Sequence, residues 1–107
     1  MKILVFSDSH GYTSHMLRCA ENLHPDTIIH LGDGSCDVKM LKKESPHTPV
    51  IGVRGNCDFG RSLPEREIIE LSGHRLFICH GHVYGVKLSL DSFLTNAMCA
   101  GADVALY

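Results

Sequence analysis

Ile3-Leu4-Val5-Phe6-Ser7-Asp8-Ser9-His10-Gly11 carries the key to the chain's architecture. Four apolar, β-prone residues run without alternation, the pattern of a strand buried on both faces. An acid and an imidazole follow at once, two residues apart, before a turn glycine. The same order recurs three times. Thr27–Leu31 leads into Gly32-Asp33-Gly34, Val50–Val53 into Gly55-Asn56-Cys57-Asp58, and Arg75–Cys79 into His80-Gly81-His82. In open α/β sheets the ligand site lies off the carboxyl ends of the strands. Four segments therefore bring oxygen and imidazole ligands toward one sheet edge.

Helical patterns separate these runs. Thr13 or Ser14 is placed to cap a helix whose apolar positions Met16, Leu17, Ala20 and Leu23 share a face, with Pro25-Asp26 ending it. Asp37–Lys43 reads as a short helix with Val38 and Leu41 inward. Pro46 and Pro49 frame a loop, and Arg61–Glu65 reads as another. Glu67–Leu71 and Arg75–Cys79 flank Ser72-Gly73-His74 as a hairpin. Leu90, Phe93, Leu94, Ala97 and Met98 make one amphipathic face, with Gly101 after the helix end. Val104–Tyr107 reads as a last strand. Strands alternating with helices imply a mainly parallel sheet with helices on both faces.

The length of 107 residues fits one domain, and 44% hydrophobic with 21% charged residues is ordinary for a soluble globular protein. A net charge of −2 argues against stable nucleic-acid binding. Five cysteines, an odd number without a C-x-x-C pair, point to a reducing, cytoplasmic setting. No stretch approaches the roughly 18 apolar residues of a membrane span. Of eight histidines, His10, His80 and His82 fall in the ligand-bearing loops, and the others read as scattered surface or helix positions.

Carboxylate, amide oxygen and imidazole together suit Mn, Fe, Zn, Ni or Co. Asp8 and His10 fit one ion, Asn56 and His80 a second. Asp33 is the candidate bridge, its flanking glycines letting the backbone come close. Two such ions about 3.5–4 Å apart clamp a phosphate and hold a hydroxide for in-line attack on phosphorus. Taken singly, Asp33 and Asn56 read more simply as turn residues. Their order and common placement after strands carry the metal reading. Arg54 is placed either to reach a phosphate or for a structural role. Cys36, Cys57 and Cys79 read mainly as small buried hydrophobes.

The ordered set Asp8-Ser9-His10, Gly32-Asp33, Gly55-Asn56-Cys57-Asp58 and His80-Gly81-His82 resembles the calcineurin-like metallophosphoesterases, most closely the small prokaryotic phosphodiesterases. The resemblance covers essentially the whole chain. It implies a four-layer α/β/β/α sandwich with two sheets. It implies two divalent metals, with Asp8, His10 and Asp33 on one and Asp33, Asn56 and His80 on the other, and hydrolysis of a small phosphodiester. Asn56, Arg54, Cys57, Asp58 and His82 are expected near the substrate, and the resemblance makes His82 a neighbour of the metals. Where many relatives place a proton-donating histidine after the asparagine, Cys57 stands here. A poorer acid favours good leaving groups.

The family pattern ends in a further G-H-x-H. Asp103–Tyr107 resembles the strand leading to it. The expectation is therefore a chain truncated before that motif, with part of the second sheet missing, weakened activity alone, and an exposed sheet edge that favours homo-oligomers. Two rival readings are a non-catalytic remnant that binds metal or phosphate without turnover, and a fold completed by a partner chain.

Overall fold

Thr27–His30 (β2) forms the centre of the first sheet, and the computed structural model describes residues 1–107 around it. Ile3–Phe6 (β1) pairs with it on one side, Ile3 opposite Thr27. Val50–Gly52 (β3) pairs on the other, Val50 opposite Ile28, and all three strands are parallel. Strand alternation then sorts the side chains. Ile28 points toward Ser14–Leu23 (α1) and Ser35–Glu44 (α2), packing with Met16, Ala20 and Leu41. Ile29 points the opposite way.

What Ile29 meets is a second sheet. Arg66–Leu71 (β4) and His74–Cys79 (β5) form an antiparallel hairpin, and Val104–Leu106 (β6) pairs parallel with β5. Ile29, Leu31 and Val53 pack against Leu76 and Ile78, making the core between the sheets. Phe77 and Cys79 face outward, under Phe93 and Ala97 of Asp91–Cys99 (α3). The order of layers is α1/α2, sheet, sheet, α3, an α/β/β/α sandwich. This is the two-sheet sandwich that the family resemblance implies, and it corrects the expectation, drawn from strand–helix alternation alone, of helices on both faces of one sheet. Both α1 and α2 lie on the same face of the first sheet, and a sheet covers the other. Burying a side chain such as Ile28, Ile29 or Leu41, each fully enclosed, contributes about 1.5–3 kcal/mol.

Local differences have local causes. No side chain caps α1. Thr13 is helical in φ and ψ without a side-chain bond, so the expected Thr13 or Ser14 cap is absent. His24 turns left-handed at the C-terminal end, its N–H donating to the Ala20 carbonyl at 3.1 Å, before Pro25 is reached. The hairpin turns on two residues, Ser72 and Gly73, both at positive φ, which matches strand twist. On α3 the inward stripe is Phe93, Asn96, Ala97 and Ala100, while Leu90, Leu94 and Met98 are exposed. The buried face keeps Phe93 and Ala97 and extends to Asn96 and Ala100 in place of Leu90, Leu94 and Met98.

Candidate metal centre

Every loop that carries a candidate ligand is tied to the Gly32-Asp33 turn. The Asp8 N–H donates to the Gly32 carbonyl at 2.9 Å, and the His10 N–H to the Asp33 carbonyl at 3.0 Å. Those bonds join the loops after β1 and β2. From the loop after β3, the Cys57 N–H donates to Asp33 Oδ1 at 2.8 Å. The loop after β5 joins through His80, whose Nδ1 lies 2.9 Å from the Leu31 carbonyl. The turn is crowded: a Cβ on Gly32 would stand 2.7 Å from His80 Nδ1, and Gly32 has φ of 115°. Asp8, His10 and Asp33 also lie in the left-handed region, at φ of 55°, 47° and 58°. Such strain persists only where surroundings enforce it, and it concentrates at functional sites.

The side chains converge. One ligand atom each from Asp8, Asp33 and His80 fall within 4.8 Å of one another. His10 Nε2 is 3.8 Å from both Asp8 Oδ1 and Asp33 Oδ2. His80 Nε2 is 3.4 Å from Asp33 Oδ2 and 2.9 Å from Asn56 Oδ1. Tautomer chemistry makes this informative. The Leu31 carbonyl only accepts, so His80 Nδ1 carries a proton; Nε2 faces two more acceptors, Asn56 Oδ1 and Asp33 Oδ2, where either a proton or a metal ion balances them. As its amide is oriented, Asn56 turns Nδ2 toward Cys57 Sγ and its oxygen toward the cluster. Oxygens of Asp8, Asp33 and Asn56 and the Nε2 of His80 thus face one small space, with His10 beside it. Carboxylates and acceptor oxygens so placed repel unless a proton or a cation lies between them. The donor set, oxygen and imidazole without thiolate, suits divalent transition metals.

A second set of polar residues braces the first. His30 is fully buried and Asp37 nearly so. The Gly32 N–H donates to His30 Nδ1 at 3.2 Å, leaving Nε2–H to donate to Ser9 Oγ at 2.8 Å. The Ser9 hydroxyl donates to Asp37 Oδ2 at 2.5 Å, which also accepts the Gly11 N–H at 2.8 Å. Burial lowers the His30 pKa, with partial compensation from Asp37. The expectation that the other histidines lie on the surface or in helices is therefore wrong for His30. A polar residue in the apolar run Thr27–Leu31 was the signal, since a buried imidazole needs partners. Ser9, between Asp8 and His10, is one.

Two residues expected near the substrate also hold the protein's own loops. Asp58 accepts three backbone N–H groups: Asp33 and Gly55 on Oδ2 at 2.9 Å, and Ser35 on Oδ1 at 3.0 Å. Desolvation pushes its pKa up, but those bonds outweigh it and the net shift is downward. Asp58 is a clamp on the loops. Arg54 pairs with Glu65 and donates to the Gly60 carbonyl at 3.0 Å, so its guanidinium is committed to the loop before β4. Cys36 and Cys57 are exposed rather than buried; Cys79 is buried, and burial raises its thiol to about 11. The Cys57 thiol is raised chiefly by its hydrogen bond to Asp33. His82 stacks obliquely beside His80, ring centres 5.6 Å apart.

Clefts flank the cluster. One, about 300 Å³, is lined by Asn56, His80, His82, Gly85, Val86, Lys87 and Leu88. The other, about 390 Å³, includes His10, Asp33, Asp37, Cys57, Asp58 and Phe59.

Known proteins resemble the chain in sequence and fold. Over its whole length the chain is 29% identical to the probable metallophosphoesterase YsnB of Bacillus subtilis (strain 168), covering 62% of that protein. A crystal structure from Streptococcus pneumoniae TIGR4, a conserved uncharacterized protein described as a phosphoesterase by prediction, superposes with a TM-score of 0.82 at 26% identity. That match covers 99% of this chain and 60% of the other. Wild-type Vps29 of Entamoeba histolytica, solved with zinc, shares the fold at a TM-score of 0.77 and 19% identity, over 98% of this chain and 62% of that one. The chain thus spans about three fifths of the length of these relatives. The model of the calcineurin-like phosphoesterase superfamily domain matches residues 1–107, and the chain belongs to that superfamily.

Proposed function

We propose that Asp8, His10, Asp33, Asn56 and His80 hold two divalent transition-metal ions (Mn, Ni, Zn or Fe) and that this centre serves hydrolysis of a small phosphodiester. One observation carries the reading: carboxylate, amide and imidazole donors from loops of both sheets face a common space, a donor set that suits a cation. Ions held there supply Lewis acidity and acidify water for attack on phosphorus. The chain's own residues divide the remaining work. Asp33 has one oxygen fixed by the Cys57 N–H and the other turned to both histidines, which suits a bridge. His80, oriented through Leu31, keeps Nε2 available. Cys57 stands beside Asn56 as a weak proton donor, favouring substrates with good leaving groups.

Five free cysteines fit a cytoplasmic setting, and no helix is long and apolar enough to cross a membrane. Self-association draws support from an apolar groove of about 400 Å³ between β1 and β6, lined by Ile3, Val5, Leu76, Val104 and Leu106. Light scattering tests it.

The test of the centre is dialysis against Mn or Zn, elemental analysis, and an assay with bis(4-nitrophenyl) phosphate. Two ions per chain and metal-dependent turnover are expected, and Asp33→Ala removes both ions. A chain that retains no transition metal sinks the proposal. Loss of only one ion in the Asp33 variant refutes the bridge.

A further inference from the structure

The two clefts beside the cluster differ in charge. On the His10 and Asp33 side, Asp33, Asp37 and Asp58 line the wall. On the Asn56 and His80 side no carboxylate lines the cleft, and Lys87 and His82 do. Lys87 is exposed and forms no ion pair. Arg54 is engaged with Glu65, Arg75 with Glu70 and the Ala100 carbonyl, and Lys2 with the Leu23 carbonyl; of the cations without an ion pair, Lys87 is the one that lines this cleft.

The loop bearing Lys87 is fixed in place. After His80 the chain turns through Gly81 at φ of 99° and Gly85 at φ of 61°. The Val86 N–H returns to the Gly81 carbonyl at 3.3 Å, and a Cβ on Gly81 would stand 2.6 Å from Val86 Cγ2. A side chain at 81 would push Val86 out, and Lys87 with it. The loop thus folds back on itself and sets an unpaired ammonium and the His82 ring on the wall of a cleft that opens on His80 and Asn56.

Resting on the metal reading above, we propose that Lys87 and His82 form an anion subsite. The substrate then carries a second negative group, phosphate or carboxylate, on the side of the scissile phosphate away from Asp58. A second anion has no favourable place in the opposite, acidic cleft, so the substrate has one orientation.

Calorimetric titration of the Mn-loaded chain tests this with three probes: phenyl phosphate, phosphoglycolate and methylenediphosphonate. The last two add a carboxylate and a phosphonate respectively. Whichever added group the subsite takes binds roughly tenfold tighter than phenyl phosphate, as a charge-assisted contact implies. The affinity ratio falls to near one in Lys87→Glu and is kept in Lys87→Arg; tighter binding by chelation would persist in both. Lys87 is exposed, so these variants fold. Equal affinity for all three probes in the parent chain, or an unchanged ratio in Lys87→Glu, overturns the subsite and leaves the metal centre standing. Failure of phenyl phosphate itself to bind overturns the metal reading, and the subsite with it.

Discussion

Asp8 shows how much of the site's character rests on a single carboxylate. It sits at φ of 55°, half-exposed, with Oδ2 taking the Ser7 hydroxyl and Oδ1 turned toward His10 and His80. Asparagine tolerates the left-handed region as well as aspartate does. Asp8→Asn keeps the shape and removes one negative charge near Asp33, so the metal-free protein should gain up to about 0.5 kcal/mol. The same change should sharply reduce stabilisation by Mn or Zn. Urea unfolding with chelator and with metal reads both signs, and metal stabilisation left intact would remove Asp8 from the ligand set. His30 gives a second residue-level expectation. Its pKa is lowered in the fold by burial, so the unfolded chain takes a proton more readily. Its contribution is therefore present near pH 7 and is lost as pH falls through the ordinary histidine value of 6.5 toward the lower folded value. Urea midpoints between pH 7 and 5 should decline more in the parent than in His30→Gln, and parallel declines would rule the linkage out.

At the scale of elements, the loops rather than the strands limit substitution. Gly34 has φ of −176°, which any residue adopts, yet a Cβ there would strike Ser9 Oγ and lie 2.6 Å from His30 Cε1. Gly34→Ala should cost about 1–3 kcal/mol by overpacking and disturb the brace behind Asp8 and His10. A urea midpoint near the parent's would mean that the brace is soft. Asp58→Ala leaves three backbone N–H groups without their acceptor and should cost about 2 kcal/mol or more. The strands were legible in the sequence because apolar runs such as Ile3–Phe6 and Thr27–His30 are bounded by glycine and polar residues. The meeting of the ligand loops was legible too, because each follows a strand of known direction. Three features were not. The unbroken buried run of β2 shows that both faces are covered, but not that one cover is a second sheet, which only the family resemblance implied. The buried face of α3, which takes in Asn96 and Ala100 rather than Leu94 and Met98, does not follow the apolar pattern. The work of Asp58 and Arg54 depends on loop conformations, which spacing alone does not fix.

For the whole molecule, the cluster joins layers that otherwise meet only through apolar side chains. Asp8, His10, Asp33 and Asn56 come from the first sheet and His80 from the second, with Ile29, Leu31, Val53, Leu76 and Ile78 packed between. In the proposed centre, an ion held by Asp33 and His80 ties the sheets at their carboxyl ends, and separating the sheets means losing it. Metal binding to the folded state alone stabilises by about 2.7 kcal/mol at a hundred times the dissociation constant. For a domain near this size, each 1 kcal/mol moves Tm by roughly 4–8 °C. Saturating Mn or Zn should therefore raise Tm by about 10 °C or more over the chelated protein, in one cooperative transition. Asp33→Ala should abolish the rise, since it removes the only near-fully buried carboxylate of the cluster. His80→Ala separates two ideas: if the ion bridges sheets, the rise is also lost, whereas an ion held by the first sheet alone keeps most of it. Two separate melting steps with metal present would mean that the sheets unfold independently and that the ion does not join them.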